Sequence, residues 1–173
     1  MSALNSDTVR DSLIAGLHDA HGMETQAITL LSAQVDRLKH YPELHERIRA
    51  HLHETEGQRD RLEKCLQHFG ASPSILKDAA VKSSATFQSM LHSFASDEVI
   101  RNSRASYGYE CYEVISYKAL IETARLCGAG EVERACRESL AEEERMAAFI
   151  NDHLPRVVQE YLARASTKAQ AKR

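Results

Sequence analysis

The sequence has no tryptophan, only three prolines and only seven glycines in 173 residues. So little turn-forming material argues against an all-β fold, which needs turn residues every few positions. No apolar run approaches the roughly 20 residues of a membrane-spanning helix. The stretch from Met1 to Asp7 shows no basic region leading into an apolar one, so neither a membrane span nor a secretory leader is expected. No sign of charge dominates either: 22 Lys and Arg against 25 Asp and Glu leave a net charge of −3. A nucleic-acid binder normally carries a basic excess or stripe, so nucleic acid is not expected as a partner. The four cysteines, Cys65, Cys111, Cys127 and Cys136, form no Cys-x-x-Cys pair. They sit in helical patterns and are expected to be buried, reduced thiols of a cytoplasmic protein. Gly-rich phosphate loops, a Ser-His-Asp spacing and a nucleophile elbow are missing as well.

What remains is a globular composition, 43% hydrophobic and 27% charged, arranged with helical periodicity. From Asp7 to about Lys39, Leu13, Leu17, Ala20, Ala27, Leu31, Val35 and Leu38 recur at spacings that suit one helical face, with Ser6 or Asp7 available as the cap. Pro42 ends this segment or opens the next at its first turn. The second helix is expected from about Glu43 to Phe69, with Leu44, Ile48, Leu52, Thr55, Leu62, Leu66 and Phe69 as its stripe and Gly70 as a left-handed C-cap. Residues 71–96 are apolar only in short bursts and are expected to form a crossover of one or two short helices. The third helix is expected from about Asp97 to Cys127, broken by Gly128-Ala-Gly130. The fourth is expected from Glu131 to about Ala163, kinked at Pro155. Two tightly turned hairpins joined by one long crossover predict an all-α, ferritin-like four-helix bundle over residues 1–165, with a flexible tail at 166–173.

The informative residues are acids lying in these apolar stripes. Glu24 sits among Ala20, Ala27 and Leu31; Glu110 and Glu113 lie among Tyr107, Val114 and Tyr117; Glu143 lies among Leu140, Ala147 and Ile150; Glu54 flanks the second stripe, with Gln58 one turn on. Glu24 and Glu54 lie at similar distances from the turn that joins their helices, as do Glu113 and Glu143 from theirs, so an antiparallel bundle would gather the four at mid-height. Moreover, 89 residues separate Glu24 from Glu113, Glu54 from Glu143 and His21 from Glu110, which reads as a degenerate repeat of one hairpin. Buried carboxylates held together cannot all stay ionised, because desolvation and mutual repulsion each cost several kcal/mol. No lysine or arginine of the stripes is expected at that level. Protonation or bound cations must neutralise the group, and bound metal is the simplest solution, since carboxylate-rich bundle cores are where di-iron and di-manganese sites occur. Of the nine histidines, His21, one turn before Glu24, is a candidate ligand. His51-x-His53 points to opposite-leaning faces of a helix and is a poor chelate; the scattered His18, His40, His45, His68, His92 and His153 are expected in surface or packing roles.

The segments His51-Leu-His-Glu54-Thr55-Glu-Gly-Gln58, Tyr109-Glu110-Cys-Tyr112-Glu113 with Tyr117, and Leu140-Ala-Glu-Glu143-Glu-Arg-Met146 resemble the second-, third- and fourth-helix motifs of the YciE/YciF-type ferritin-like stress-response proteins. The likeness covers about residues 8–163. It implies a ferritin-like bundle, a homodimer, expression under stress and a dinuclear non-haem iron centre, but no settled activity. The usual ferritin pattern has Glu-x-x-His on the second and fourth helices; here Gly57 and Met146 stand three residues after Glu54 and Glu143. The metal-ligand set expected from the residues and the resemblance together is Glu24, Glu54, Glu113 and Glu143, with Glu110, His21 and Gln58 in reach. Iron is the expected cofactor, with manganese or zinc as substitutes and oxygen or peroxide as reactant. The alternative is a non-catalytic structural or interaction protein that keeps the bundle without turnover. Phe87, Met90, Leu91 and Phe94 are candidate dimer contacts or, equally, a cover for the protomer's own core.

Overall fold

The computed structural model describes residues 5–72 and 99–167. Among these residues the secondary structure is four helices and no strand: α1 (Ser6–Arg37), α2 (Pro42–His68), α3 (Val99–Cys127) and α4 (Gly130–Ser166). Most of the expected crossover, the four candidate dimer contacts and the end of the tail lie outside the described residues. α1 packs against α2 and α3, and α4 against α3 and α2, which is the all-α four-helix architecture expected.

Local chemistry explains the helix ends. The cap of α1 is Asn5, just ahead of the expected Ser6 or Asp7; its side-chain oxygen accepts from the Asp7 amide at 2.9 Å. Pro42 opens α2 at the first turn, where its missing N–H costs nothing. α2 closes through Gly70 at φ 69°, with the Ala71 amide reaching the Leu66 carbonyl at 3.0 Å and the Gly70 amide reaching Gln67 at 2.9 Å. This is a Schellman closure, which needs the left-handed conformation that glycine adopts without strain. Gly128 repeats the device at the end of α3. α4 runs on through Pro155 to Ser166, three residues past the expected end. No helix of the described residues is long and apolar enough to cross a membrane.

The core comes in two apolar blocks. One contains Leu13, Leu17, Leu62, Leu66, Leu120 and Val132; the other contains Leu31, Leu44, Ile48, Val99, Met146 and Ile150. Burying each such side chain contributes about 1.5–3 kcal/mol, so the two blocks hold the bundle from both ends and leave room for a polar layer between them. α2 and α4 run antiparallel, in a register anchored by the hydrogen bond from Gln58 to Glu143. Their buried residues match step for step: Leu44 with Val157, His51 with Ile150, Thr55 with Met146, Gln58 with Glu143, Leu62 with Ser139 and Cys65 with Cys136. Not every thiol is buried as expected, because Cys111 lies on the outward face of α3 and is exposed.

Candidate metal centre

The polar layer is almost wholly removed from solvent. Glu24, Gln58 and Glu143 are 0% exposed, His51 and Glu113 1%, and Glu110 2%. His51, Glu110, Glu113 and Glu143 each offer one ligand atom, and these atoms all lie within 4.8 Å of one another. The imidazole of His51 bridges two environments. Its Nδ1 stands 2.9 Å from Glu54 Oε2, while its Nε2 stands 3.2 Å from Glu110 and 3.4 Å from Glu143. Gln58 Nε2 donates to Glu143 and, at 2.9 Å, to Glu142. Tyr117 donates to Glu24 at 2.6 Å. Glu24 Oε2, Gln58 Oε1 and Glu113 Oε1 are buried with no hydrogen-bond partner. A buried oxygen left without a donor is costly, and one carboxylate oxygen without a donor beside three other ligand groups fits a cation. The donor set of carboxylates and one imidazole suits a first-row divalent metal.

Charge in the layer is divided unevenly. Burial drives the Glu24 and Glu113 carboxyls well above the usual range, and the neighbouring Glu143 charge adds to it. Burial also raises Glu110, to about 7, although the His51 cation works against it. Burial alone would lower His51, but the charge of Glu110 and hydrogen bonds to Glu110, Glu143 and Glu54 raise it well above its ordinary value. Glu143 runs the other way: burial opposes its ionisation, yet His51 and Gln58 hold it ionised below the usual range. Without metal the layer is thus His51 paired with the ionised Glu143, beside Glu24 and Glu113, which keep their protons, and Glu110, which shares the His51 charge.

Residues 8–163 match a family described as a domain of unknown function, DUF892. The chain belongs to the DUF892 family. A protein of Xanthomonas campestris pv. campestris is 31% identical, with 91% of this chain and 99% of that chain covered and a TM-score of 0.76. The Escherichia coli stress protein YciF is 23% identical over 88% of this chain and 98% of its own, with a TM-score of 0.76. YcfI of Rhodopseudomonas palustris is 21% identical over 87% and 98%, with a TM-score of 0.63. The last two matches show a shared fold. Together with the family match they bear out the YciE/YciF-type resemblance of the helix motifs.

In this DUF892 chain, Glu110, Glu113 and Glu143 lie together with His51. Gln58 reaches them through Glu143, Glu24 is buried and bonded to Tyr117, Glu54 touches the group through His51, and His21 is bonded to Glu63 instead. Glu54 stands at the edge, where Arg47 donates to it at 2.9 Å and Arg145 lies 3.9 Å away. Two arginines therefore do reach the level at which none was expected. Burial opposes ionisation of Glu54, but hydrogen bonds from His51 and Arg47 bring it down to about 2. His21 turns outward to Glu63, 3.1 Å away. The reason for the Glu54 misplacement is a slip of one residue between the hairpins. The buried faces of α2 and α4 correspond at 88 residues, not 89: Leu44 with Val132, Ile48 with Cys136, His51 with Ser139, Thr55 with Glu143 and Leu62 with Ile150. The counterpart of Glu143 is therefore Thr55, and Glu54 is about 100° round the helix from that face. The counterpart of Glu54 is Glu142, which is likewise held by an arginine, Arg61. His51 was the missed residue. The spacing Leu44, Ile48, His51, Thr55, Gln58, Leu62 puts it on the buried face and leaves His53 exposed.

The layer makes a pH prediction for chelator-treated protein. Glu24, Glu110 and Glu113 hold protons in the fold that the unfolded chain releases above about pH 4.3, so each subtracts stability as the pH rises toward its folded value. His51, raised in the fold, contributes fully below about pH 6.5 and loses that contribution as the pH climbs through its folded value. Glu54 and Glu143 act in the opposite sense, but only as the pH falls below about 4.3. Thermal melts should therefore show the metal-free protein most stable near pH 4–5 and losing about 1.4 kcal/mol per pH unit for each proton retained by the fold between roughly pH 5 and 8.

Proposed function

We propose that this is a ferritin-like stress-response protein whose bundle core holds a carboxylate-rich dinuclear iron site that reacts with oxygen or peroxide. The observation that carries the proposal is the group of His51, Glu110, Glu113 and Glu143, fully buried and with ligand atoms within 4.8 Å of one another. In this proposal those four are the ligands, Glu24 completes the carboxylate set, and Gln58 holds Glu143 in place. Glu54 is recast as a positioning residue: by accepting from Nδ1 it leaves Nε2 of His51 facing the acids, the carboxylate–histidine arrangement that orients metal-binding imidazoles. Tyr117 fixes the rotamer of Glu24, and Tyr109 is tied to the Met23 carbonyl at 2.9 Å, so both tyrosines beside the acids are held in place. Iron, when bound, supplies the electrons for reducing an O–O bond. A homodimer in the cytoplasm belongs to the same proposal, and manganese or zinc are its substitute metals.

One observation favours a second reading, a non-catalytic interaction protein. Glu24 and Glu113 lie where burial keeps them protonated, so the bundle is chemically complete without metal. Elemental analysis separates the two. Protein purified without chelator is expected to carry iron, and its crystals to scatter anomalously at the iron edge inside the His51–Glu110–Glu113–Glu143 group. Absence of metal, or metal bound elsewhere, would overturn the proposal.

A further inference from the structure

On the side of the bundle where α1 faces α3, the helices part enough to leave a narrow cleft that ends on the polar layer. Its walls include Ala27, Leu30 and Gln34 of α1 and Ser106 of α3, and it is also lined by Glu110 and Glu113. Ala27 and Ser106 are short, and that is what opens the gap. Gln34 and Ser106 are each 5% exposed; Gln34 Nε2 donates to Ser106 Oγ at 3.2 Å. They are a polar pair set in an otherwise apolar wall, next to the Glu113 Oε1 that lacks a hydrogen-bond partner. The volume of the cleft is about 10 Å³, the space of a single water molecule.

The opposite side of the layer is shut. Gln58 is bonded to both Glu142 and Glu143, Arg61 covers Glu142 and reaches Ser139 at 3.3 Å, and Arg47 pins Glu54 over His51. A molecule approaching from there has to break charge-assisted hydrogen bonds, the strong kind. Along the cleft, among the described residues, it passes Gln34 and Ser106, which can hydrogen-bond to it in turn.

Resting on the metal-centre reading above, we propose that the α1/α3 cleft is the access route to the centre and sets its substrate class. It admits molecules of the size of water, with hydrogen peroxide as the reactant, and excludes organic hydroperoxides. Reduction of either peroxide consumes two electrons and two protons, and it yields two waters from hydrogen peroxide or one water and one alcohol from an alkyl hydroperoxide. The chemistry is the same, so a rate difference reports access.

Two measurements on metal-loaded protein test this. In the manganese(II)-loaded protein, water-proton relaxation reads the arrival of water at the ion. Ser106→Leu, and separately Ala27→Leu from the other wall, should lower the ion's relaxation enhancement by about tenfold by filling a one-water passage. Arg61→Ala, which uncovers the opposite side, should leave it within about twofold. In the iron(II)-loaded protein, hydrogen peroxide should oxidise the centre at least about 100-fold faster than tert-butyl hydroperoxide, given room for one water. If wild-type protein binds neither manganese(II) nor iron(II) at equilibrium, the metal-centre reading fails and the route fails with it. If manganese binds but both cleft-filling variants, folded by circular dichroism, relax water like wild type, the route alone is overturned. Equal oxidation rates for the two peroxides overturn the size selection.

Discussion

Replacing Glu113 by glutamine is expected to raise the melting temperature of the chelator-treated protein and to abolish the stabilisation that added metal gives the wild type. Glu113 is 1% exposed, its Oε1 has no hydrogen-bond partner, and burial followed by the charges of Glu143, Glu24 and Glu110 holds its carboxyl well above the usual range. At neutral pH the unfolded chain gains by ionising this group and the folded chain does not, which costs the fold stability. Glutamine keeps the shape and removes that cost, in line with the general finding that buried charge is weak evidence for stability. The gain should shrink as the pH falls toward about 4, where unfolded glutamate is itself about half protonated or more. That pH signature distinguishes the proton account from a packing effect. Calorimetric melts of wild type and Glu113→Gln at acid and neutral pH, with and without iron(II), read both halves of the expectation. A variant that melts lower at neutral pH without metal, or that keeps the metal-induced shift, contradicts it.

The opposite outcome is expected for His51→Ala. His51 is the buried cation at the centre of the described layer: Glu54, Glu110 and Glu143 all lie within 3.4 Å of its ring nitrogens. Truncation leaves Glu143 and Glu110 without their partner and opens a cavity where a fully buried ring stood. Removing one member of a buried ion pair costs about 3–5 kcal/mol, enough to lower the melting temperature by roughly 10 °C in a chain of this size. Metal affinity should fall as well. Glu54→Gln should do much less to the fold, because Glu54 is at the edge and shares its arginines with solvent, yet it should weaken metal binding about 10–100-fold by releasing the imidazole. Isothermal titration and thermal melts of the two variants side by side give the comparison. A Glu54 variant that loses all binding while His51→Ala keeps it would reverse the assigned roles.

Much of this molecule is legible in its sequence because long amphipathic helices declare themselves through spacing. Leu13, Leu17, Ala27 and Leu31 mark the inner face of α1, and Gly70 and Gly128 mark two helix ends, since each must adopt a positive φ that costs glycine nothing. The repeat offset of 89 also holds where it was read on α1 and α3: Ala20 with Tyr109, His21 with Glu110, Glu24 with Glu113 and Leu31 with Leu120 are all buried. It fails on α2 and α4 because one residue, about 100° of helix, turns a side chain out of the core. Identity of residue type alone pairs Glu54 with Glu143; the buried face pairs Thr55 with it. His51 escaped notice for a related reason. Taken with His53 it is a poor chelate, but two residues apart on a helix point in nearly opposite directions, so one of the two had to face inward. The outward turn of His21 to Glu63 follows from no spacing, because 21 and 110 share a register and only side-chain rotamers separate their fates.

The slip between the hairpins also bears on ancestry. If one hairpin was copied to make the other, the copies began with interchangeable positions, so that any substitution had a twin. Once the second helices moved by one residue relative to the first, that equivalence ended. His51 now corresponds to Ser139, Gln58 to Met146 and Thr55 to Glu143, so one half of the layer has an imidazole, an amide and a hydroxyl while the other has a hydroxyl, a thioether and an acid. Two halves that began as one can no longer trade parts, and selection has been free to assign each a separate task.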